Sequence, residues 1–110
     1  MSTPIHKLFD LSGRTALVTG GSRGLGLQIA EALGEAGAKI MISSRKAADL
    51  EEAAADLQAK GIDTRWIAAD VSKPDDAQRL VGETLQRLGH IDILVNNAGA
   101  TRSEEHTSEL

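Results

Sequence analysis

Gly20, Gly24 and Gly26 punctuate the stretch Thr19-Gly-Gly-Ser-Arg-Gly-Leu-Gly26, which lies between a short apolar run and a segment of helical periodicity. That spacing suits a backbone that must turn sharply and then offer N–H groups to an anion. One glycine permits the turn, another lets a diphosphate approach the main chain, and a third lets helix and strand pack closely. The G-x-x-x-G-x-G order differs from the G-x-G-x-x-G pattern, and a turn chosen only for backbone freedom is the plain alternative. The strand before it and the helix after it favour the dinucleotide reading. At the end of the next strand stand Ser44, Arg45 and Lys46, with no acid before Asp49. A carboxylate there would bond the ribose 2′-hydroxyl of NAD, whereas a base suits the 2′-phosphate of NADP. Arg45 can present a planar fork to phosphate, Ser44 can add a hydroxyl, and Arg23 can approach from the glycine turn. The alternative makes Arg45 and Lys46 solvated cations at a helix start, where the dipole disfavours positive charge. NADP is therefore expected over NAD. Asp70 could accept a hydrogen bond from an adenine amino group, with Val71 offering backbone contact. Taken alone, an Asp before a helix is more often a cap or turn residue, and Ser72 is assigned that role here. Asn96-Asn97-Ala98-Gly99 closes the series with amides and small residues against which a cofactor can lie.

These groups need elements to carry them to one place. Thr15–Thr19 is apolar on both faces, as a buried parallel strand is. From Gly24, Leu25, Ile29 and Leu33 recur at helical spacing, with Ala30 and Ala36 on the adjoining face, until Gly37. Residues 39–43 read as a second strand, and 47–60 as an Ala- and Glu-rich helix with Leu50, Ala53, Ala54 and Leu57 on one side. Residues 64–69 form a third strand. Ser72 is expected to cap the third helix, with Pro74 just inside and Asp75 and Asp76 favourable to its dipole. Ala77, Leu80, Val81, Leu85 and Leu88 carry its apolar face to Gly89, and Ile91–Val95 is a fourth strand. The order β-α-β-α-β-α-β predicts a parallel α/β sheet with helices on both faces. The strand ends of such a sheet are where ligands collect.

Together, Thr19-Gly20-x-x-x-Gly24-x-Gly26, Asp70 and Asn96-Asn97-Ala98-Gly99 resemble the short-chain dehydrogenase/reductase family, over about Phe9 to Thr101. The resemblance implies a Rossmann-type doubly wound sheet, here four strands of it, with a nicotinamide cofactor across the strand ends. It implies that Gly20, Ser22, Arg23, Gly24, Leu25 and Gly26 surround the diphosphate and adenosine phosphate. It places Ser44 and Arg45 on the 2′-phosphate, Asp70 and Val71 on adenine, and Asn97, Ala98 and Gly99 on the ribose side. Asn96 would tie the fourth strand to its neighbours. The subgroup it looks most similar to is the bacterial ketoacyl-reductase or polyol-dehydrogenase kind. The implied activity is NADP-dependent interconversion of an alcohol and a ketone, in a homo-oligomer acting on a small molecule. Family members are much longer, and their catalytic Ser and Tyr-x-x-x-Lys lie beyond the fourth strand. This chain has no tyrosine, so the expectation is a cofactor-binding fragment without dehydrogenase activity of its own. A non-catalytic nucleotide-binding or redox-sensing module is the alternative, and a methyltransferase a third. The Ser44-Arg45 pair argues against the last, because S-adenosylmethionine usually wants an acid there.

Composition narrows the remainder. The 110 residues carry a net charge of −4, with both signs interspersed, and no cysteine. That excludes a disulfide scaffold and a thiolate site, and points to no nucleic-acid or membrane partner. No run of about 18 apolar residues is present, and the first residues lack the apolar stretch of a secretion signal, so a cytoplasmic protein is expected. His6, His90 and His106 show no metal-ligand spacing, and Glu51, Glu52 and Asp56 read as a solvated helix face. Residues 102–110, RSEEHTSEL, differ in kind: composition alone reads them as a solvated loop. They also match the translation of a common sequencing-library adapter, so the expectation is that the Rossmann portion ends near Thr101. A fragment of this kind is expected to leave one face of its fourth strand open to water and to associate or loosen, with partial rescue by NADP.

Overall fold

The computed structural model describes residues 10–97, so Ala98, Gly99 and the 102–110 segment lie outside it. Four strands and three helices alternate: β1 (Thr15–Thr19), α1 (Gly24–Glu35), β2 (Lys39–Ser44), α2 (Ala47–Ala59), β3 (Thr64–Ala68), α3 (Pro74–Leu88) and β4 (Ile93–Asn96). The strands form one sheet in the order β3-β2-β1-β4, and every pairing is parallel. The α/β Rossmann-type architecture expected from the sequence is present. Two successive right-handed crossovers step outward from β1 to β3 and place α1 and α2 on one face. The third crossover returns past β1 to β4 and so places α3 on the other.

Strand alternation divides the interior accordingly. Ala16, Val18, Ile40 and Ile42 meet Ala30 of α1 and Leu50, Ala53, Ala54 and Leu57 of α2 on the first face. Leu17, Met41 and Ile67 meet Leu80 and Leu88 on the second. With so few aromatics the packing is tight and aliphatic: a methyl added at Gly34 would run into Ile62.

The helix faces differ in detail from the sequence reading. Leu25 does not join the packed stripe of α1; it is 62% exposed at the first turn, while Leu27, Ala30 and Leu33 do the packing. The buried line of α3 is Leu80, Thr84 and Leu88, at i, i+4 and i+8. Thr84 is tolerated there because its hydroxyl donates to the Leu80 carbonyl at 2.7 Å. Val81 and Leu85 flank that line, 40% and 43% exposed. Leu94 stands beside Leu17 in register but is 62% exposed, because α3 covers the β2 side of the sheet. Ile93 and Val95 pack against the opposite core.

β4 begins at Ile93, two positions after the expected start. Ile91 turns onto the second core, and Asp92 fastens the strand to β1. Its Oδ2 accepts the Thr15 N–H at 2.8 Å, and its own N–H donates to the Thr15 carbonyl at 2.9 Å. His90 Nε2 lies 3.0 Å from the same carboxylate and Arg14 3.6 Å.

Candidate functional site

The carboxyl ends of all four strands meet at one edge, joined laterally by short polar contacts. The N–H groups of Gly20 and Gly21 donate to the Ser43 carbonyl at 2.7 and 3.2 Å, and the Ala69 N–H donates to Ser44 at 2.9 Å. The Ser43 hydroxyl donates to the Ile67 carbonyl at 2.7 Å. On the other side, the Thr19 hydroxyl lies 3.1 Å from Asn96 Oδ1 and 3.3 Å from the Val95 carbonyl. Asn97 Nδ2 donates to the Gly20 carbonyl at 3.2 Å. The glycine turn is therefore held from β2 and from β4 at once.

Within that frame the glycines have separate tasks. Gly20 and Gly24 adopt φ of +65° and +60°, a region costly for other residues. At Gly24 nothing lies within 4 Å of where a Cβ would stand, so the backbone there faces open space. Gly26 is the opposite case: it is buried, and a Cβ would collide with the Gly20 carbonyl and stand 2.8 Å from Asn97 Nδ2. Gly21, not singled out in the sequence, is confined too, though less severely, since a Cβ would stand 2.8 Å from Ile42 Cγ2. The first turn of α1 has no side-chain cap and no acid. Its leading amides have no intrahelical acceptor and lie at the positive end of its dipole, next to the open position at Gly24.

Of the other expected site residues, Ser22, Ser44, Asp70, Val71 and Asn97 are half-buried, and Arg23, Leu25 and Arg45 are exposed. The Ser44 hydroxyl is buried without a hydrogen-bond partner. Val71 packs its side chain against the second core. Arg45 stands close enough to Asp70 for its charge to contribute to holding that carboxyl low. All the described candidates thus belong to the strand ends, the glycine turn or the loops that leave them.

Asp70 corrects one expectation. Ser72 does not cap α3; the N-cap position is Lys73, which makes no side-chain cap bond. Instead the Ser72 hydroxyl and N–H both donate to Asp70 Oδ1, at 2.6 and 3.0 Å. These two bonds, the hydroxyl first, hold the Asp70 carboxyl below its ordinary range. Asp70 is therefore itself the turn residue. The helix tolerates the missing cap because Pro74 at its start has no N–H to satisfy. Asp76 looks backward out of the helix, its Oδ2 accepting the Asp70 N–H at 2.6 Å. That bond, followed by the Arg79 guanidinium, lowers the Asp76 carboxyl as well.

That Thr19 and Ser43 fasten the strand ends is not apparent from the sequence, where Thr19 figures only as the start of the glycine motif. Each stands as a hydroxyl toward the carboxyl end of a strand whose centre, residues 16–18 or 40–42, is apolar. Among the described residues there is no cluster of His, Asp or Glu able to hold a metal, and no helix is long and apolar enough to cross a membrane. A groove of about 500 Å³ runs along the outer edge of β3, beside Trp66, Arg79 and Glu83, and includes none of the expected site residues.

A family model described as short chain dehydrogenase matches residues 14–110. A rhamnolipid-biosynthesis 3-oxoacyl-[acyl-carrier-protein] reductase of Pseudomonas aeruginosa is 46% identical over 97 residues, covering 88% of this chain and 38% of the relative. Gluconate 5-dehydrogenase of Gluconobacter oxydans is 41% identical over 95 residues, covering 86% and 37%. Among solved structures, the Pseudomonas aeruginosa RhlG/NADP active-site complex superposes with a TM-score of 0.78 at 44% identity, over 84% of this chain and 37% of that one. L-Sorbose reductase from Gluconobacter frateurii, complexed with NADPH and L-sorbose, gives 0.75 at 37% identity, over 78% and 33%. The chain spans a little over a third of the length of the curated relatives it matches.

Proposed function

Because the chain belongs to the short-chain dehydrogenase family, we propose that it is the cofactor-binding part of an NADP-dependent oxidoreductase interconverting an alcohol and a ketone. The observation that carries this reading is the glycine turn: an uncapped helix start facing open space, locked to the ends of β2 and β4. When bound, the nicotinamide cofactor supplies the hydride donor or acceptor. The residues present fit it. Gly24 leaves room for a diphosphate against the main chain, with Ser22, Leu25 and the leading amides of α1 around it. Ser44 holds a buried hydroxyl still in need of a partner. Arg45, and Arg23 from the turn, supply guanidinium forks for the 2′-phosphate.

Asp70 keeps Oδ2 for the adenine amino group, since its other oxygen is taken by Ser72, and the Val71 backbone lies alongside. Asn97 commits its nitrogen to Gly20 and keeps its oxygen for the ribose, next to Ala98 and Gly99. Proton transfer at the substrate oxygen falls to groups outside this chain, which contains no tyrosine. The small-molecule substrate, and any homo-oligomer, belong to that longer protein.

Calorimetric titration with NADP and NAD tests the reading. Arg45→Ala removes a charge-assisted contact of about 1.5–3 kcal/mol, so NADP affinity should fall about 10- to 150-fold while NAD affinity stays nearly level. Equal affinity of the wild-type chain for the two dinucleotides, or equal losses on substitution, would reject the NADP assignment.

A further inference from the structure

Asp76 and Arg79 stand outside the cofactor-facing edge, yet they grip the loop that carries Asp70 at two points. Asp76 Oδ2 accepts the Asp70 N–H at 2.6 Å. Asp76 Oδ1 accepts from Arg79 Nε and Nη2 at 3.2 and 3.1 Å. The same Arg79 Nη2 donates to the Ala68 carbonyl at 2.8 Å. One carboxylate and one guanidinium therefore bind the main chain on both sides of Ala69. Glu83 holds the far side of the guanidinium, accepting from Nη1 at 2.7 Å. A planar guanidinium fastened at three positions has little freedom left, so the bracket is stiff although its members are solvent-facing.

What the bracket constrains is the direction of the Asp70 side chain. The Asp70 N–H is fixed by Asp76, and Oδ1 is fixed by Ser72. With both ends of the residue restrained, Oδ2 is the carboxylate oxygen left to accept from a ligand. Resting on the reading that Asp70 recognises adenine, we infer that Asp76 and Arg79 are positioning residues for base selectivity: they hold the loop so that Asp70 Oδ2 meets the 6-amino group. Neither is assigned a contact with the cofactor. Their effect reaches it through main-chain bonds that only the folded loop supplies.

The test compares NADP with its hypoxanthine analogue, in which a carbonyl replaces the 6-amino group. The wild-type 110-residue chain should bind NADP about tenfold or more tightly, the scale of one charge-assisted hydrogen bond. Asp76→Ala should bring that ratio close to one, mostly by weakening NADP, and Arg79→Gln should lower it in the same direction. Asp76→Asn, which keeps the shape but one acceptor oxygen, should give an intermediate ratio and covers the case in which Asp76→Ala does not fold. Amide hydrogen exchange at Asp70 should quicken in each variant without cofactor. An unchanged ratio, or equal losses for both dinucleotides, overturns the positioning role and leaves the reading of Asp70 intact. A wild-type chain that shows no preference, or binds neither dinucleotide, overturns the reading of Asp70 and the inference with it.

Discussion

Replacing Gly26 with alanine adds one methyl group at the closest approach between α1 and the turn after β1. The new Cβ would overlap the Gly20 carbonyl and press on Asn97 Nδ2 at 2.8 Å, so α1 must move or the Asn97–Gly20 bond must break. Overpacking of this kind costs about 1–3 kcal/mol, and loss of the hydrogen bond adds about 0.5–1.5 kcal/mol. A penalty of about 2–4 kcal/mol follows, and at a urea slope of ~2 kcal/mol/M it lowers the denaturation midpoint by about 1–2 M. Gly82 supplies the control. It lies in the interior of α3 with nothing within 4 Å of its missing Cβ, so Gly82→Ala should raise stability by about 0.5–1 kcal/mol through helix propensity alone. Urea denaturation followed by far-UV circular dichroism reads both changes. A Gly26→Ala chain as stable as wild type would show that α1 is not held against the turn, and the account of the site would fail with it.

Other expectations come from separate parts of the molecule. Asp92→Ala removes the acceptor of the Thr15 N–H and the partner of His90 and Arg14, and should cost about 1–3 kcal/mol in the same denaturation experiment. Asp70 and Asp76 both titrate below the ordinary aspartate value, so their stabilisation is present above about pH 4 and lost as pH falls through their lowered values. Denaturation midpoints should therefore drop on acidification below pH ~4, and Asp76→Asn should flatten that drop. Leu94→Lys places a charge on a side chain already 62% exposed. It should leave stability nearly unchanged and reduce self-association in sedimentation experiments. The Arg45→Ala titration described above completes the set.

Much of the fold is visible in local pattern. β1 is recognisable because five consecutive residues are buried on both faces, which only a central parallel strand requires, and α2 because Leu50, Ala53, Ala54 and Leu57 share one face. α1 and α3 are less legible. Leu25 and Val81 fit the helical period, yet the helix reaches past the sheet at one and the packing is off-centre at the other. Periodicity reports which residues share a face and is silent on how much of that face a neighbour covers. Ser72 donates to Asp70 instead of capping α3 for a related reason. Both are good turn formers, and which of them accepts and which donates depends on a loop pinned by Asp76 and Arg79 from within the next helix.

The glycine spacing, the basic Ser44-Arg45 pair and the asparagine-rich end of β4 were all legible as residue types. Covalent sterics make glycine the residue that tolerates positive φ, but Gly20 and Gly24 adopt it while Gly21 and Gly26 do not, so which glycines turn left-handed was decided by the fold. Contacts between residues roughly 77 positions apart, such as Thr19 with Asn96 and Gly20 with Asn97, carry no local signature. They exist only once parallel pairing has brought four strand ends into line. Residue chemistry and spacing thus determined what kind of ligand edge this chain could build. The register of the sheet decided which hydroxyl, carbonyl and amide would hold that edge together, because hydrogen bonds between distant segments depend on positions that only the folded chain defines.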